Sequence, residues 1–187
     1  MRCFVAIDLP EDIKASLFHS SEFLQKSGLL RANFVEKENL HLTLKFLGDL
    51  ETDNLEKVKN ELKKINFKKF NASLGKVGSF PYEDYVKVLH VGLNSENNEI
   101  KDLQKEVEVK LKGMGFKEEE REFSSHVTLA RVHSLIKAQE NKQAFLDKLK
   151  SFKVPKDEFE VNKFILIKSE LMAKGPVYKV IEEYSLK

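Results

Sequence analysis

Two short stretches of the sequence repeat one pattern, a histidine followed two residues later by a threonine. The first contains His41 and Thr43, and the second contains His126 and Thr128; both units read His-x-Thr-Leu within an apolar alternation. Side chains of an extended strand alternate between faces, so each histidine shares a face with its threonine. Two imidazoles suit acid–base catalysis of phosphoryl transfer, because one can deprotonate the nucleophile while the other protonates the leaving oxygen. The pair therefore predicts a catalytic site built from both units.

Three other histidines and two rival interpretations bear on this prediction. A lone histidine is more often a hydrogen-bonded structural residue than a functional one. His19, His90 and His133 have no partner pattern and are interpreted as structural, although His90 should lie near the centre of the sheet. A zinc site is disfavoured because two histidines supply only two ligands and threonine is a poor zinc ligand. We therefore expect no metal.

Composition places the chain among ordinary globular proteins. It has 187 residues, of which 41% are hydrophobic, and 32 basic residues nearly balance 30 acidic ones. A formal net charge of +2 does not predict tight non-specific binding of nucleic acid, so any polyanion should be bound locally in a site. Cys3 is the single cysteine, which excludes an intrachain disulfide and favours a reducing compartment. The sequence shows no signal peptide and no apolar run of about 20 residues, so we expect a cytoplasmic protein that binds no membrane. We also expect a monomer.

Hydrophobic periodicity predicts two halves with the same order of elements. The first half should contain a strand at 3–9, a helix at 11–26, an extended piece at 32–35, the first motif strand, a helix from 52 or 53 and a bent strand at 70–80. The second should contain a strand at 85–93, a helix spanning 100–114, the second motif strand, a helix at 136–150 with Ala138, Phe145 and Leu149 inward, and a strand from 159. Residues 164–171 and 177–186 should form a hairpin that closes the sheet.

This order predicts a single α+β domain over residues 1–187, with an internal duplication into halves of about 1–84 and 85–187. The motif strands can meet at a pseudo-twofold axis. We therefore expect a bilobal fold in which two pseudo-symmetric antiparallel sheets face a central cleft, with helices packed on the outside.

The motifs and their flanking residues resemble the two-histidine phosphoesterases, and within them the RNA 2',3'-cyclic phosphodiesterases, also called 2'-5' RNA ligases. The matching segments are residues 2–8, 38–48, 125–132, 169–171 and 175–178. The chain departs from the usual pattern at Ser125, where a proline commonly precedes the second histidine, and at Phe34 and His90, where tryptophan is frequent.

The resemblance implies metal-independent and cofactor-free hydrolysis of a terminal 2',3'-cyclic phosphate on an RNA or nucleotide, leaving a 2'-phosphate. It implies that His41 and His126 are the catalytic acid and base. We take His41 as acid and His126 as base, a division that the pseudo-symmetric motifs do not decide. Thr43 and Thr128 would hydrogen-bond the non-bridging phosphate oxygens. The same chemistry with a 5'-hydroxyl in place of water would form a 2'-5' linkage. A non-catalytic module of the same fold that binds RNA ends or nucleotides is the alternative.

The resemblance also implies substrate contacts from Phe46 and Arg131, to the nucleobase and the phosphate. Each lies five residues after its histidine, and an odd offset on a regular strand faces the opposite side. These two side chains can therefore reach the cleft only at a strand end or after a β-bulge.

Overall fold

The computed structural model describes residues 1–81, 86–116, 122–136, 138–154, 158–172 and 175–187, without the side chains of 138–140. Its strands are β1 (Arg2–Asp8), β2 (Leu30–Phe34), β3 (His41–Asp49), β4 (Phe70–Phe80), β5 (Val88–Ser95), β6 (His126–Leu135), β7 (Glu158–Val161), β8 (Lys163–Met172) and β9 (Gly175–Ser185). Its helices are α1 (Glu11–Gln25), α2 (Thr52–Leu62), α3 (Glu99–Leu111) and α4 (Ala138–Lys150), with a 3-10 turn at Lys37–Asn39. The α+β class and the order of elements are confirmed.

Most predicted boundaries agree with the structure to within two residues. The third helix is shorter than predicted, because α3 ends at Leu111 and leaves Met114 outside it. Gly113 and Gly115 follow with positive φ, a conformation that ends helices and favours glycine. The strand predicted at 85–93 begins at Val88, and residues 82–85 lie outside the described part of the chain.

The described strands form one antiparallel sheet in the order β7-β4-β5-β6-β3-β1-β8-β9, with β2 also paired to β6. The two motif strands, β3 and β6, are neighbours at its centre, paired through Leu42 and Val127. Further along the same edge of β6, β2 replaces β3 as the partner. The predicted sheet halves are thus joined into one sheet, and the predicted terminal hairpin is the pair β8–β9, which attaches through β8 to β1.

Each motif strand contains a β-bulge at the same distance from its histidine. Leu44 is the extra residue on β3, because positions 43 and 45 pair with consecutive residues of β1. Leu129 is the extra residue on β6, because positions 128 and 130 pair with consecutive residues of β5. A bulge shifts the alternation of side chains by one residue. Just past these bulges, the residues five positions after the histidines, Phe46 and Arg131, therefore lie on the face that carries the histidines.

The main core lies between the helices and one face of the sheet. Leu42 and Val127 are fully buried there against residues from all four helices, among them Phe145 and Leu149 of α4. The inward position predicted for Ala138 lies outside the described side chains. A smaller cluster on the opposite sheet face contains Phe4, Ala6, Ile165 and Ile167, with Tyr178 packed against it. Within the described ranges, no helix combines the length and the apolar character needed to cross a bilayer.

We expect Leu42→Ala to lower the free energy of unfolding by about 2–5 kcal/mol, because it removes a buried side chain at the joint between the motif strands. Leu171→Ala is the matched control; Leu171 is 83% exposed, and the change should stay within about 0.5 kcal/mol. Urea denaturation measures both values. Equal effects of the two substitutions would contradict the role assigned to the joint.

Candidate active site

The six residues selected from the sequence line one cleft with a volume of about 1490 Å³. They are His41, Thr43, Phe46, His126, Thr128 and Arg131. They come from the two central strands, and no other strand supplies any of them. The pairing of β3 with β6 therefore assembles the predicted set.

The register of the motif strands explains why the histidines meet. Leu42 and Val127 pair antiparallel and point into the core. Each of these two residues is flanked by a histidine and a threonine. Because side chains alternate, both histidines and both threonines point to the sheet face opposite the core. In such a register each histidine faces the threonine of the other strand, and the two histidines are diagonal neighbours, roughly 7–8 Å apart between Cα atoms. This spacing allows both rings to flank a group the size of a phosphate.

Backbone and hydroxyl partners orient the His41 ring. Its Nδ1 lies 2.6 Å from the carbonyl oxygen of Asn39, and its Nε2 lies 3.0 Å from Oγ1 of Thr43. A carbonyl oxygen can only accept, so Nδ1 carries the hydrogen and donates it. In the neutral ring Nε2 is therefore the basic nitrogen, and it accepts the hydroxyl hydrogen of Thr43.

Aromatic side chains surround His41 and affect its charge. The centroid of its ring is 4.9 Å from that of Phe4 and 5.3 Å from that of Tyr178. Burial lowers the pKa of His41 below its ordinary value of 6.5, although the Asn39 carbonyl and the carboxylate of Asp8 oppose the shift. His41 is therefore held neutral at pH 7.

His126 has a corresponding backbone partner but different neighbours. Its Nδ1 donates to the carbonyl oxygen of Ser124 at 2.7 Å. Its ring lies edge-on to Phe80, with centroids 5.2 Å apart, and edge-on to His90 at 5.3 Å. Phe80 and His90 are themselves stacked at 4.0 Å with an interplanar angle of 10°. The second histidine is thus supported by a stacked pair of rings.

His90 acts in this stack as an uncharged ring. Burial, assisted by the positive charge of His126 when protonated, lowers the pKa of His90 to about 4. Its Nδ1 is buried and has no hydrogen-bond partner among the described residues. Opposite it on β4, Gly78 leaves the space that the ring occupies: a Cβ on Gly78 would lie 2.8 Å from Nε2 of His90. His90 therefore has a packing role beside the site, consistent with its interpretation as structural.

The bulges bring Phe46 and Arg131 to the cleft face, as their odd offsets require. Phe46 is 59% exposed, with its ring 6.1 Å from that of Phe4. Arg131 is exposed on the opposite side of the cleft. Burial raises the pKa of the Tyr178 phenol, and the positive charge of Arg131 opposes that rise, so the guanidinium acts across the cleft on the His41 side. The cleft thus combines two imidazoles, two hydroxyls and one guanidinium.

Apart from His90, sequence reasoning did not identify the rings that pack around the two imidazoles. They are Phe4 and Tyr178 beside His41, and Phe80 beside His126. Tyr178 is 137 positions from His41, and no local pattern connects them. The described residues contain no cluster of three or more histidine, cysteine or acidic side chains that could hold a metal ion.

A family model supports the same chemistry. The model for LigT-like phosphoesterases matches this chain twice, over residues 7–90 and over residues 91–178. Each match contains one of the two His-x-Thr units.

Relatives with related sequences cover the chain almost completely. A protein of Methanocaldococcus jannaschii named RNA 2',3'-cyclic phosphodiesterase is 37% identical over 185 residues, which are 98% of this chain and 100% of the relative. A protein of Methanothermobacter thermautotrophicus with the same name is 32% identical and covers 100% of this chain and 99% of its own length.

Solved structures show the same fold. The crystal structure of the Thermus thermophilus protein TT0787 matches with a TM-score of 0.80 and 27% identity, covering 100% of this chain and 98% of that one. Escherichia coli LigT complexed with 3'-AMP matches with a TM-score of 0.76 over 99% of this chain and 97% of its own, at 21% identity.

We expect the His41 resonances in an NMR titration to have a midpoint below pH 6.5, because burial favours the neutral ring. Tyr178→Ala exposes the ring and should move this midpoint upward, toward 6.5. Val180→Ala, at an exposed position of the same strand, is the control and should leave the midpoint in place. A wild-type midpoint at or above 6.5 would contradict the assigned environment of His41.

Proposed function

This chain belongs to the LigT-like phosphoesterase family, and from that membership we propose that it is an RNA 2',3'-cyclic phosphodiesterase. The substrate is an RNA or nucleotide that ends in a 2',3'-cyclic phosphate, and the reaction is a phosphoric diester hydrolysis that needs no cofactor. The observation that carries this proposal is the placement of both His-x-Thr units on one face of adjacent strands, within one cleft. The shared name of the relatives adds support.

The proposed reaction is an in-line attack of water on the phosphorus. The bond from phosphorus to the new oxygen forms as the bond from phosphorus to the ribose 3' oxygen breaks, and a 2'-phosphate remains. One imidazole accepts a proton from the water, and the other donates a proton to the departing 3' oxygen. Because the two rings lie diagonally across a strand pair, they can reach opposite sides of one phosphorus atom.

The environment of His41 supports the base role for this residue. Burial keeps its ring neutral, the Asn39 carbonyl holds the hydrogen on Nδ1, and the basic Nε2 is turned toward Thr43 in the cleft. His126 is then the acid. This division reverses the one that the sequence favoured, because the sequence carries no information about the burial of either ring.

The threonines and the arginine are proposed to bind the phosphoryl oxygens. Thr43 and Thr128 flank the paired residues of the central strands, so their hydroxyls lie on the histidine face beside the space for phosphorus. Each hydroxyl can rotate to donate to an oxygen of the transition state, and Arg131 adds a positive charge. Removal of one preorganised donor of this kind lowers kcat by about 10²–10³. Phe46, exposed at the rim, is proposed to contact the nucleobase.

Three further expectations remain proposals. The chain is proposed to be one domain that arose by duplication, and the two successive matches of the family model support this. It is proposed to act as a monomer in the cytoplasm. The same site would form a 2'-5' linkage when a 5'-hydroxyl replaces water as the nucleophile, because the bond from phosphorus to the 5' oxygen then forms as the bond to the ribose 3' oxygen breaks.

We expect His41→Ala and His126→Ala each to lower kcat on a 2',3'-cyclic nucleotide by about 10²–10⁴, because each removes one proton-transfer group. His19→Ala is the matched control, since that side chain is 89% exposed on α1. A chelator should not change the wild-type rate. Sensitivity to the chelator would point to a metal enzyme, and binding of the cyclic nucleotide without turnover would point to the non-catalytic module.

A substrate with sulfur in place of the 3' bridging oxygen distinguishes the acid from the base. Thiolate departs without protonation, so loss of the acid matters less with this substrate. We expect the defect of His126→Ala to shrink by about tenfold or more, while the defect of His41→Ala persists. The oxygen substrate measured with the same variants is the control. Rescue of His41→Ala instead would overturn the assignment and leave the phosphodiesterase activity itself intact.

A further inference from the structure

The two rims of the cleft have opposite character. The rim beside His41 is apolar, and its large exposed side chains are Phe46, Leu171 and Met172. Two described cations of the β8–β9 hairpin near this rim are paired: Lys168 and Lys179 both contact the carboxylate of Glu170, at 2.6 and 3.2 Å. The described part of this rim therefore offers mainly apolar surface, with Lys168 and Lys179 occupied by a carboxylate.

The other rim is formed by β2 and β6 and carries exposed cations. Leu30, Ala32 and Phe34 of β2 pack on the core, so the alternate residues Arg31 and Asn33 face outward. Asn33 lies directly opposite Arg131 in the strand pair, and both line the cleft. Arg31 and Arg131 share a face as diagonal neighbours, about 7–8 Å apart between Cα atoms.

The exposed surface continues away from the catalytic centre. Past Arg131, His133 is an exposed extra residue on β6, and Ser134 pairs with Arg31. A strand advances about 3.3 Å per residue, so His133 lies roughly 20 Å along β6 from His126. The donors Arg31, Asn33, Arg131 and His133 thus form a band that starts at the site and extends well beyond one nucleotide. We call these four residues the β2–β6 band.

The arginines of this band differ from the arginine elsewhere on the described surface. Within the described ranges, no carboxylate forms an ion pair with Arg31 or Arg131, whereas Arg2 is paired with Asp49. Guanidinium groups without a carboxylate partner are suited to bind phosphate. The band therefore offers positive charge that a polyanion can use.

Three carboxylates also line the cleft, and none of them lies on the outward face of β2 or β6. Glu108 of α3 is occupied by Lys45, and Glu122 contacts Lys101. Glu36 is exposed, but it lies beyond the end of β2. It therefore does not belong to the alternating side chains of β2 that point outward with the band. The positive charge of the band is thus not neutralised within its own strands.

We propose that the β2–β6 band binds the sugar-phosphate backbone of the nucleotides that precede the cyclic end of an RNA substrate. This inference rests on the proposed function, because it requires the cyclic phosphate to lie between His41 and His126. Arg31 contacts the phosphates of these nucleotides, and Asn33 and His133 donate hydrogen bonds to phosphate or ribose oxygens. Arg131, where the band begins, holds the cyclic phosphate itself, and the apolar rim faces the bases. The contacts are to the backbone, so they carry no sequence preference.

The test compares a short oligoribonucleotide ending in a 2',3'-cyclic phosphate with a 2',3'-cyclic mononucleotide. Arg31→Gln should lower kcat/KM and affinity for the oligonucleotide by about three- to tenfold and reduce the slope of log affinity against log salt by about 0.7. Its kcat/KM for the mononucleotide should stay within about twofold of wild type, because the mononucleotide does not reach Arg31. His133→Gln combined with Arg31→Gln should weaken oligonucleotide binding further.

The matched control is Lys57→Gln, which removes an exposed charge from α2 on the helical side of the sheet and should alter neither substrate. Oligonucleotide affinity unchanged by Arg31→Gln, or an equal loss on both substrates, would overturn the proposal. Failure of the wild-type protein to hydrolyse either substrate would count against the proposed function instead. The affinity measurement still tests the β2–β6 band in that case, since it needs no turnover.

Discussion

The architecture of this protein depends on one short stretch of antiparallel pairing between its two central strands. Leu42 and Val127 are buried in the core and oppose each other across that joint. Because side chains alternate, burying these two residues obliges the neighbouring histidines and threonines to point to the other face. A slip of one residue would exchange the two faces and place the imidazoles in the core. The hydrophobic core and the arrangement of the site are therefore determined by the same contact.

The bulges at Leu44 and Leu129 modify this alternation where the site needs it. A regular strand would direct the side chains five residues past each histidine into the core, where a guanidinium has no partner. With the extra residue, Phe46 and Arg131 reach the cleft face, and positions 45 and 130 turn inward. Lys45 is buried as a result of the bulge, and its ammonium pairs with the carboxylate of Glu108 of α3 at 2.6 Å. The bulge thus places one polar group where an ion pair must stabilise it.

Much of this was predictable from the sequence, and the remainder was not for identifiable reasons. Strand and helix periodicity indicated nearly every element, the repeated His-x-Thr unit indicated the two histidines and two threonines of the cleft, and the family resemblance added Phe46 and Arg131. The odd offsets of Phe46 and Arg131 required either a strand end or a bulge, and the structure contains the bulge. The aromatic neighbours of His41 were not predictable, because contacts between β1, β3 and β9 depend on the order of strands in the sheet. The burial that holds His41 neutral follows from those contacts, so the sequence alone could not decide between the two divisions of acid and base.

The stack beside His126 also makes the residues at positions 78 and 90 depend on each other. The ring of His90 fits only because position 78 has no side chain, and Phe80 covering the ring prevents it from turning aside. On the other side of the sheet, Ala6 of β1 holds the position that corresponds to His90, and its partner Ile165 of β8 holds the position that corresponds to Gly78. The small residue and the large residue of the pair are therefore exchanged between the two strands. A change at 78 or at 90 alone meets either a collision or a void, and only a joint replacement preserves the packing. Residues 78 and 90 should therefore vary together among natural homologues, and a homologue that lacks the glycine is expected to lack the histidine as well.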